Sequence, residues 1–268
     1  MPDLSILIIS HGHENMISPC LASLAPALQN LSAEIILVDN LNRGQLPALT
    51  ASAPIPPIFQ NNPTPRGFAT NVNQAAAAAS GKYLLILNPD TRFHHGQFAD
   101  ALAFLDRHPA IGLLGCGLVN EDGSPQRSFR RFPSIAVLLA RGFAADRWPW
   151  RPRFYRERML ENQNISSPTP VDWVYGACMI LRRDTFQSLA GMDERFRLYY
   201  EDVDLCYRIW QTGREVWYYP HLAIFHEHMR GSARRPFSRQ WRWHVASAAR
   251  YFLKHRNVFR TAPPRPIH

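Results

Sequence analysis

The feature that most constrains this chain is a series of short apolar runs, each closed by polar residues and separated by helical patterns. LSILIIS (4–10), AEIILVDN (33–40), PPIFQN (56–61), KYLLILN (82–88) and IGLLGCGLV (111–119) read as strands. Helical patterns cover 14–28, 67–80 and 96–107, the second strengthened by an alanine run. Strand and helix alternating at this spacing predict an α/β domain with a mostly parallel sheet flanked by helices. Sheets of that kind bind ligands at the carboxyl ends of their strands. Three polar clusters fall there: Ser10–His11, Asp39–Asn40 and Asn88–Asp90. SHGHEN holds one glycine where a dinucleotide fingerprint needs three, and there is no P-loop. Nicotinamide and ATP-hydrolysing chemistry thus lack local support.

The second half is less regular. VDWVYGACMILRRDTF (171–186) predicts a strand between a glycine turn and a short helix at 184–190, and a further helix begins near Glu201. EVWYYP and LAIFHEH predict two more short strands. From Phe237 to Lys254 a helical pattern puts Phe237, Trp241, Val245, Ala248 and Phe252 on one face, with Arg239, Arg242, Arg250 and Lys254 opposite or beside it. That face suits packing on the domain or contact with a membrane surface. VLLARGFAA (137–145) is a weaker candidate of the same kind.

Charge sharpens this division. The formal net charge is +9, yet residues 228–268 carry ten Lys or Arg and no acid, so the first 227 residues are nearly balanced. A second patch, Arg127 to Arg158, holds nine arginines against Asp146 and Glu157. Such segments attract polyanions. No apolar run approaches the ~20 residues of a membrane span. LSILIIS, without a basic stretch before it or a cleavage-like site after it, reads as a first strand and not as an export signal. Cys20, Cys116, Cys178 and Cys206 lack metal-binding spacing and sit in apolar settings, which predicts buried thiols in a reducing cytoplasm.

Several residues could carry chemistry. Asp90, ending an apolar strand, could reach a Mg2+ or Mn2+ ion shared with substrate phosphates, or merely cap an Asn-Pro-Asp turn. Asp39 could accept from a ribose or a base, or cap its own turn. Arg66 could supply charge to a diphosphate, Gly67 permits close backbone approach, and Asn71 and Asn73 follow on a helix. Glu201 and Asp202 open a helix after two tyrosines. They combine N-terminal capping with the surroundings of a general base, while Asp204 reads as structural. His226 and His228 would share one side of a strand, where either could join Asp90 at a metal.

In combination and order these segments resemble the family 2 glycosyltransferases of GT-A fold, in particular the rhamnosyltransferase-like enzymes of bacterial cell-surface polysaccharide assembly. LSILIISHGHENMISPCLASL, EIILVDN, NPTPRGFATNVNQAAAAASGKYLLILNPDTR, VYGACMILRRDTFQSLAGMDERFRLYYEDVDLCYRIWQTG and HEHMRGS carry the resemblance, from residue 4 to about 232. It implies a glycosyltransferase domain at 1–232, with a donor-binding half to about 120 and an acceptor-binding, catalytic half beyond it. A basic amphipathic extension would follow at 233–268. It implies donor contacts at Ser10, Asp39, Arg66, Gly67, Asn71, Asn88 and Asp90, with Asn88 in place of the first acidic residue of the family's metal motif. The implied metal ligands are Asp90 and His228, with His226 as a rival. Asp202 would be the catalytic base, with Glu201 beside it. Trp173, Tyr175, Gly176 and Glu201 would contact the acceptor. The implied reaction is inverting transfer of a sugar, rhamnose first, from dTDP-rhamnose or a UDP-sugar to a hydroxyl of a glycan or lipid-diphosphate-linked acceptor. The enzyme would lie in the cytoplasm or on the inner face of the membrane. A nucleotide-sugar-binding homologue without transferase activity is the nearest alternative. A nucleic-acid-binding protein is another, but no nucleic acid is expected as partner, because no recognition motif accompanies the basic tail.

Overall fold

The structure is a computed structural model that describes residues 1–51, 53–135, 137, 165–227 and 238–256. Strands β1 (Leu4–Ser10), β2 (Ala33–Asp39), β3 (Ile58–Asn61) and β4 (Tyr83–Leu87) form a parallel block in the order β3-β2-β1-β4. Every residue of β1 and β4 is buried, so both read as uninterrupted apolar runs. Ser10 pairs with Asp39 and Asp39 with Asn61, while Leu87 pairs with Ile8. The polar clusters that follow these strands therefore share one edge.

Beyond β4 the order is β11-β6-β12-β5, with β5 (Thr91–His95), β6 (Ile111–Val119), β11 (Cys178–Arg182) and β12 (Glu215–His226). β11 runs antiparallel to both β4 and β6, β12 is parallel to β6, and β5 is antiparallel to β12. The sheet is thus mixed, its parallel character concentrated in the first half. Short β7 (Pro125–Gln126) and β9 (Thr169–Pro170) extend it, and β8 (Phe129–Arg130) pairs with β10 (Trp173–Val174) in a separate ribbon.

Helices fill both faces. α1 (Glu14–Ser23) and α4 (Phe98–Arg107) bury Ile17, Cys20, Leu21, Phe98, Ala101, Leu102 and Leu105 on one side. On the other, α3 (Phe68–Ala78), α5 (Arg183–Ser188), α6 (Glu201–Gln211) and α7 (Arg239–Lys254) bury a second core. A single turn, α2 (Leu46–Leu49), follows β2. All four cysteines are buried free thiols. Among the described residues no helix is long and apolar enough to cross a membrane.

Four expectations need correction. The helix expected over 14–28 stops at Ser23 and resumes as a 3-10 turn at Ala25–Leu28, where Pro26 cannot donate to a continuing helix. Thr91–His95 is a strand, hidden in sequence because this edge strand is largely exposed and carries no apolar run. EVWYYP and LAIFH form one strand that ends at His226, irregular between Tyr219 and Ala223 around Pro220. Finally, α7 buries Ser247, Ala248, Tyr251, Phe252 and His255, while Val245 is 48% exposed. The basic segment 138–158 and Phe237 lie outside the described residues.

The β5–β12 junction depends on Gly96, whose φ is +98° and whose missing side chain leaves room for the His221 carbonyl. Gly96→Ala combines a strained φ (about 1 kcal/mol) with an overpacked backbone contact (about 1–3 kcal/mol). Chemical denaturation is expected to show a loss of roughly 2–4 kcal/mol.

Candidate active site

At the carboxyl edge of β2, Asp39 is buried and folds its own loop. Oδ1 accepts from the amides of Leu41 (3.1 Å) and Asn42 (2.8 Å), and Oδ2 from that of Arg43 (3.1 Å). Asn40 is equally buried. Its Nδ2 contacts His11 Nδ1 (2.9 Å) and donates to the Arg66 carbonyl (3.0 Å), while Oδ1 accepts from Arg66 N and Asn62 Nδ2, both at 2.8 Å. Asn71, wholly buried, accepts from Asn62 and donates to the Gly67 carbonyl (2.9 Å). This asparagine network fixes the loop before α3, leaving the Arg66 side chain outside on Gln74 (3.3 Å). Gly67 does permit close approach, but of the Arg197 backbone: a Cβ would lie 3.1 Å from Arg197 O. Asn73 secures the same neighbourhood through Met192 and Glu194. Ser10 is buried beside these groups. Asn62 escaped the sequence reading; the Asn61–Asn62 pair ending β3 was its only signal.

Asn88 ends β4, its amide donating to Ala177 O (2.9 Å) and its carbonyl accepting from Thr91 Oγ1 (2.6 Å). Two residues on, Asp90 Oδ2 lies 3.7 Å from His226 Nε2. The Asp90 carbonyl accepts from the Glu227 amide (2.9 Å), tying the turn to the end of β12. Asp90 also lines a cavity of about 230 Å³ with Asn15, Met16, Arg92 and Glu227. His226 is buried, and desolvation lowers its pKa to about 4, so the ring is neutral. Gln126 sets its tautomer. The amide Nε2 donates to the carbonyls of Val119 and His226 and to Asn120 Oδ1, which turns Oε1 toward His226 Nδ1 at 3.0 Å. Nδ1 therefore carries the proton, and Nε2, facing Asp90, is the basic nitrogen. One carboxylate and one imidazole nitrogen suit a divalent cation that is shared with substrate phosphates. No larger set of metal-binding side chains occurs among the described residues, and His228, Gly231 and Ser232 lie outside them.

The second cluster opens α6. Tyr199 and Tyr200 both take φ of +67°, a left-handed conformation that non-glycine residues adopt at a cost. Contacts around them hold it: Tyr199 and Tyr200 pack on His244 of α7, and Tyr200 also on Tyr251. This reversal places Glu201 and Asp202 at the helix start. Asp202 is half-buried; Oδ2 accepts from Gly176 N (3.1 Å) and Oδ1 from Val203 N (2.8 Å). Burial nonetheless raises its pKa to about 6. Burial, together with the charge of Asp202, pushes the Glu201 carboxyl well above the ordinary carboxylate range. Its Oε2 is buried with no hydrogen-bond partner among the described residues. Gly176 joins Ala177, whose carbonyl holds Asn88, so the two clusters share a two-residue bridge.

Asp204 does not face this site. Wholly buried, it accepts from Arg208 Nε (2.7 Å), Lys254 Nζ (2.6 Å) and His255 Nε2 (2.7 Å). Beside Asp202, Trp173 stacks on Tyr175 with ring centroids 5.2 Å apart. Trp173 Nε1 donates to Arg131 O (3.0 Å), and Arg130 Nε to the Tyr175 hydroxyl (2.8 Å). A rigid, partly exposed aromatic shelf of this kind is suited to the apolar face of a sugar.

Comparison with known proteins bears on the family and the fold. A rhamnosyltransferase acting on N-acetylglucosaminyl-diphospho-decaprenol, from Mycobacterium tuberculosis, is 32% identical over 158 residues, covering 58% of this chain and 50% of that protein. This chain thus matches only half the length of that relative. Rhamnosyltransferase WbbL of Escherichia coli K12 is 27% identical over 264 residues, 94% of this chain and 93% of WbbL. Among solved structures, GalNAc-T7 with UDP, GalNAc and Mn2+ superposes with a TM-score of 0.67 at 16% identity, covering 97% of this chain and 50% of that one. The mannosyltransferase PcManGT of Pyrobaculum calidifontis, with GDP-Man and Mn2+, gives 0.61 at 16% identity, covering 98% and 66%. The fold is therefore GT-A-like. Residues 5–189, more than half of the chain, match the glycosyl transferase family 2, and the chain belongs to that family.

Proposed function

We propose that this chain is an inverting glycosyltransferase moving a sugar, rhamnose first, from a nucleoside-diphosphate donor to a hydroxyl of a lipid-diphosphate-linked glycan. The supporting observation is the placement of the Asp90–His226 pair and the Glu201–Asp202 pair on one sheet edge, bridged by Gly176 and Ala177. Rhamnose and the lipid diphosphate come from the two rhamnosyltransferase relatives. Asp202, ionised above pH about 6, accepts the proton of the acceptor hydroxyl. The hydroxyl oxygen forms its bond to the sugar C1 as the bond from C1 to the diphosphate oxygen breaks, the electrons leaving on the diphosphate. Glu201 lines the acceptor pocket beside the base, and Trp173 and Tyr175 supply the shelf. Asp39 and the Asn40 network position the nucleoside. Asp90 and His226 would hold Mg2+ or Mn2+, whose charge supports the departing diphosphate.

A panel of UDP-, dTDP- and GDP-sugars tests the reading by thermal shift. A donor at ~100 times its Kd stabilises by about 2.7 kcal/mol and raises Tm by several degrees. A flat response to every nucleotide sugar, with and without Mn2+, overturns it. The cation pair has its own test. Gln126→Leu releases the His226 tautomer and is expected to weaken Mn2+ binding roughly 10–100-fold, read by electron paramagnetic resonance with UDP present. Unchanged Mn2+ affinity removes Gln126 from that role.

A further inference from the structure

Two arginines that the proposed mechanism does not use, Arg197 of a loop and Arg239 of the C-terminal helix, meet at the donor edge. Arg197 belongs to the loop before α6. Its carbonyl accepts from Phe68 N (3.0 Å) at the start of α3, directly against Gly67. α7 grips the same loop from the other side: Ser247 Oγ donates to Leu198 O (2.9 Å), and Arg250 donates to Arg195 O. Between these anchors the guanidinium carbon of Arg197 lies 5.0 Å from the Trp243 ring centroid, and that of Arg239 lies 4.6 Å from the same centroid. Two like charges are thus held on one aromatic ring.

Neither guanidinium has an acidic partner among the described residues. The neighbouring acids are engaged elsewhere, Asp193 with Arg195 and Lys254, and Glu194 with Thr70 and Asn73. Arg239 is also the first residue of α7, where a positive side chain opposes the helix dipole. The charge of both arginines reaches the end of β1: besides burial, the positive charges of Arg43, Arg197 and Arg239 lower the pKa of His11. His11 in turn contacts Asn40 in the network beside Asp39. Arg43 is already paired with Glu14 at 3.2 Å, so the uncommitted charge is that of Arg197 and Arg239.

We propose that Arg197 and Arg239, clasped on Trp243, form a diphosphate-binding clamp that the C-terminal helix completes at the donor edge. This deepens the reading of that edge as a nucleotide-sugar site. The diphosphate belongs either to the donor nucleotide or to a polyprenyl diphosphate acceptor, and the two sources separate experimentally.

The test is calorimetric titration, in EDTA-containing buffer, of inorganic diphosphate, UDP and dTDP into the full chain. Flotation with phosphatidylcholine vesicles carrying a polyprenyl diphosphate is run in parallel. The variants are Arg197→Gln, Arg239→Gln, the double variant and Trp243→Leu. Both arginine side chains are exposed, so unchanged melting is the control for folding. Each single arginine change is expected to weaken inorganic diphosphate and nucleoside diphosphate roughly tenfold or more. Trp243→Leu should do likewise with both charges retained, because it removes their clasp. If vesicle capture is lost while nucleotide binding is unchanged, the clamp serves the acceptor diphosphate. Wild-type binding of inorganic diphosphate but of no nucleotide tried, even when Mn2+ replaces the EDTA, with the diphosphate binding lost in the double variant, keeps the clamp and undermines the donor-site reading. If the double variant matches wild type for every ligand, or wild type binds none, the clamp is overturned and the two arginines merely pack on Trp243.

Discussion

Asp202→Asn is expected to lower kcat by roughly 10²–10⁴ and, at the same time, to raise the melting temperature at neutral pH. The two effects have one cause. Burial lifts the Asp202 pKa to about 6, so an ionised carboxylate at pH 7 is held where the fold disfavours charge. A raised carboxyl pKa contributes stability that is full below the unfolded value and lost as pH rises through about 6. Wild type should therefore gain stability between pH 8 and pH 5, and the asparagine variant should lose that part of the dependence. Because the group is half-buried, the stabilisation at pH 7 is on the order of 1–2 kcal/mol, or a few degrees in Tm. Catalysis has the opposite slope: the base is consumed by protonation, so the rate should fall about tenfold per unit below pH 6. Initial rates and melting curves over the same pH range test both, and an Asp202→Asn variant with unchanged kcat sinks the assignment.

Asp204→Asn is expected to cost about 3–5 kcal/mol, because it leaves Arg208 and Lys254 facing a neutral amide in a dry site. For a chain of this size that lowers Tm by roughly 10 °C. Burial opposes ionisation of Asp204, but the hydrogen bonds of His255 and Lys254 and the charge of Arg208 outweigh it and hold the pKa below the usual carboxylate range. A depressed carboxyl pKa contributes stability above the unfolded value, lost as pH falls through the folded one. Acid should thus detach α7 early. Hydrogen exchange of the α7 amides is the direct measurement, since Lys254 and His255 are its last anchors on α6. The active site should feel the loss, because the ring of His244 on α7 packs on the strained tyrosines before Glu201. A change in Tm below a degree or two would show that the network is balanced by its desolvation.

Much of the first half of the chain was legible because its signals are local. LSILIIS and KYLLILN announce strands buried on both faces, and the polar residues ending them must lie at one edge once the strands are parallel. Asp90 and the Glu201–Asp202 pair stood out by the same means, acids that closely follow an apolar run or a pair of tyrosines. Asp204 read as structural, which its buried ion pairs explain. The edge strand Thr91–His95 was not legible, since an exposed strand needs no apolar run. Nor was the inner face of α7: Lys254 read as part of the polar side in sequence, but a buried carboxylate on another helix turns it inward, with His255 beside it.

The sequence by itself determined the buried strands, most helices and the residue types available at their ends, because hydrophobic period and turn chemistry act over a few neighbouring residues. Only the tertiary structure decided how those residues are used. It set the hydrogen-bonding of His226 through Gln126, 100 residues away, and committed the Asp39 oxygens to their own loop. It also carried Arg197 and Arg239 to one tryptophan. Proton position, pKa and charge pairing depend on groups brought within a few ångströms by packing, and the packing of distant segments leaves no periodic trace in the chain.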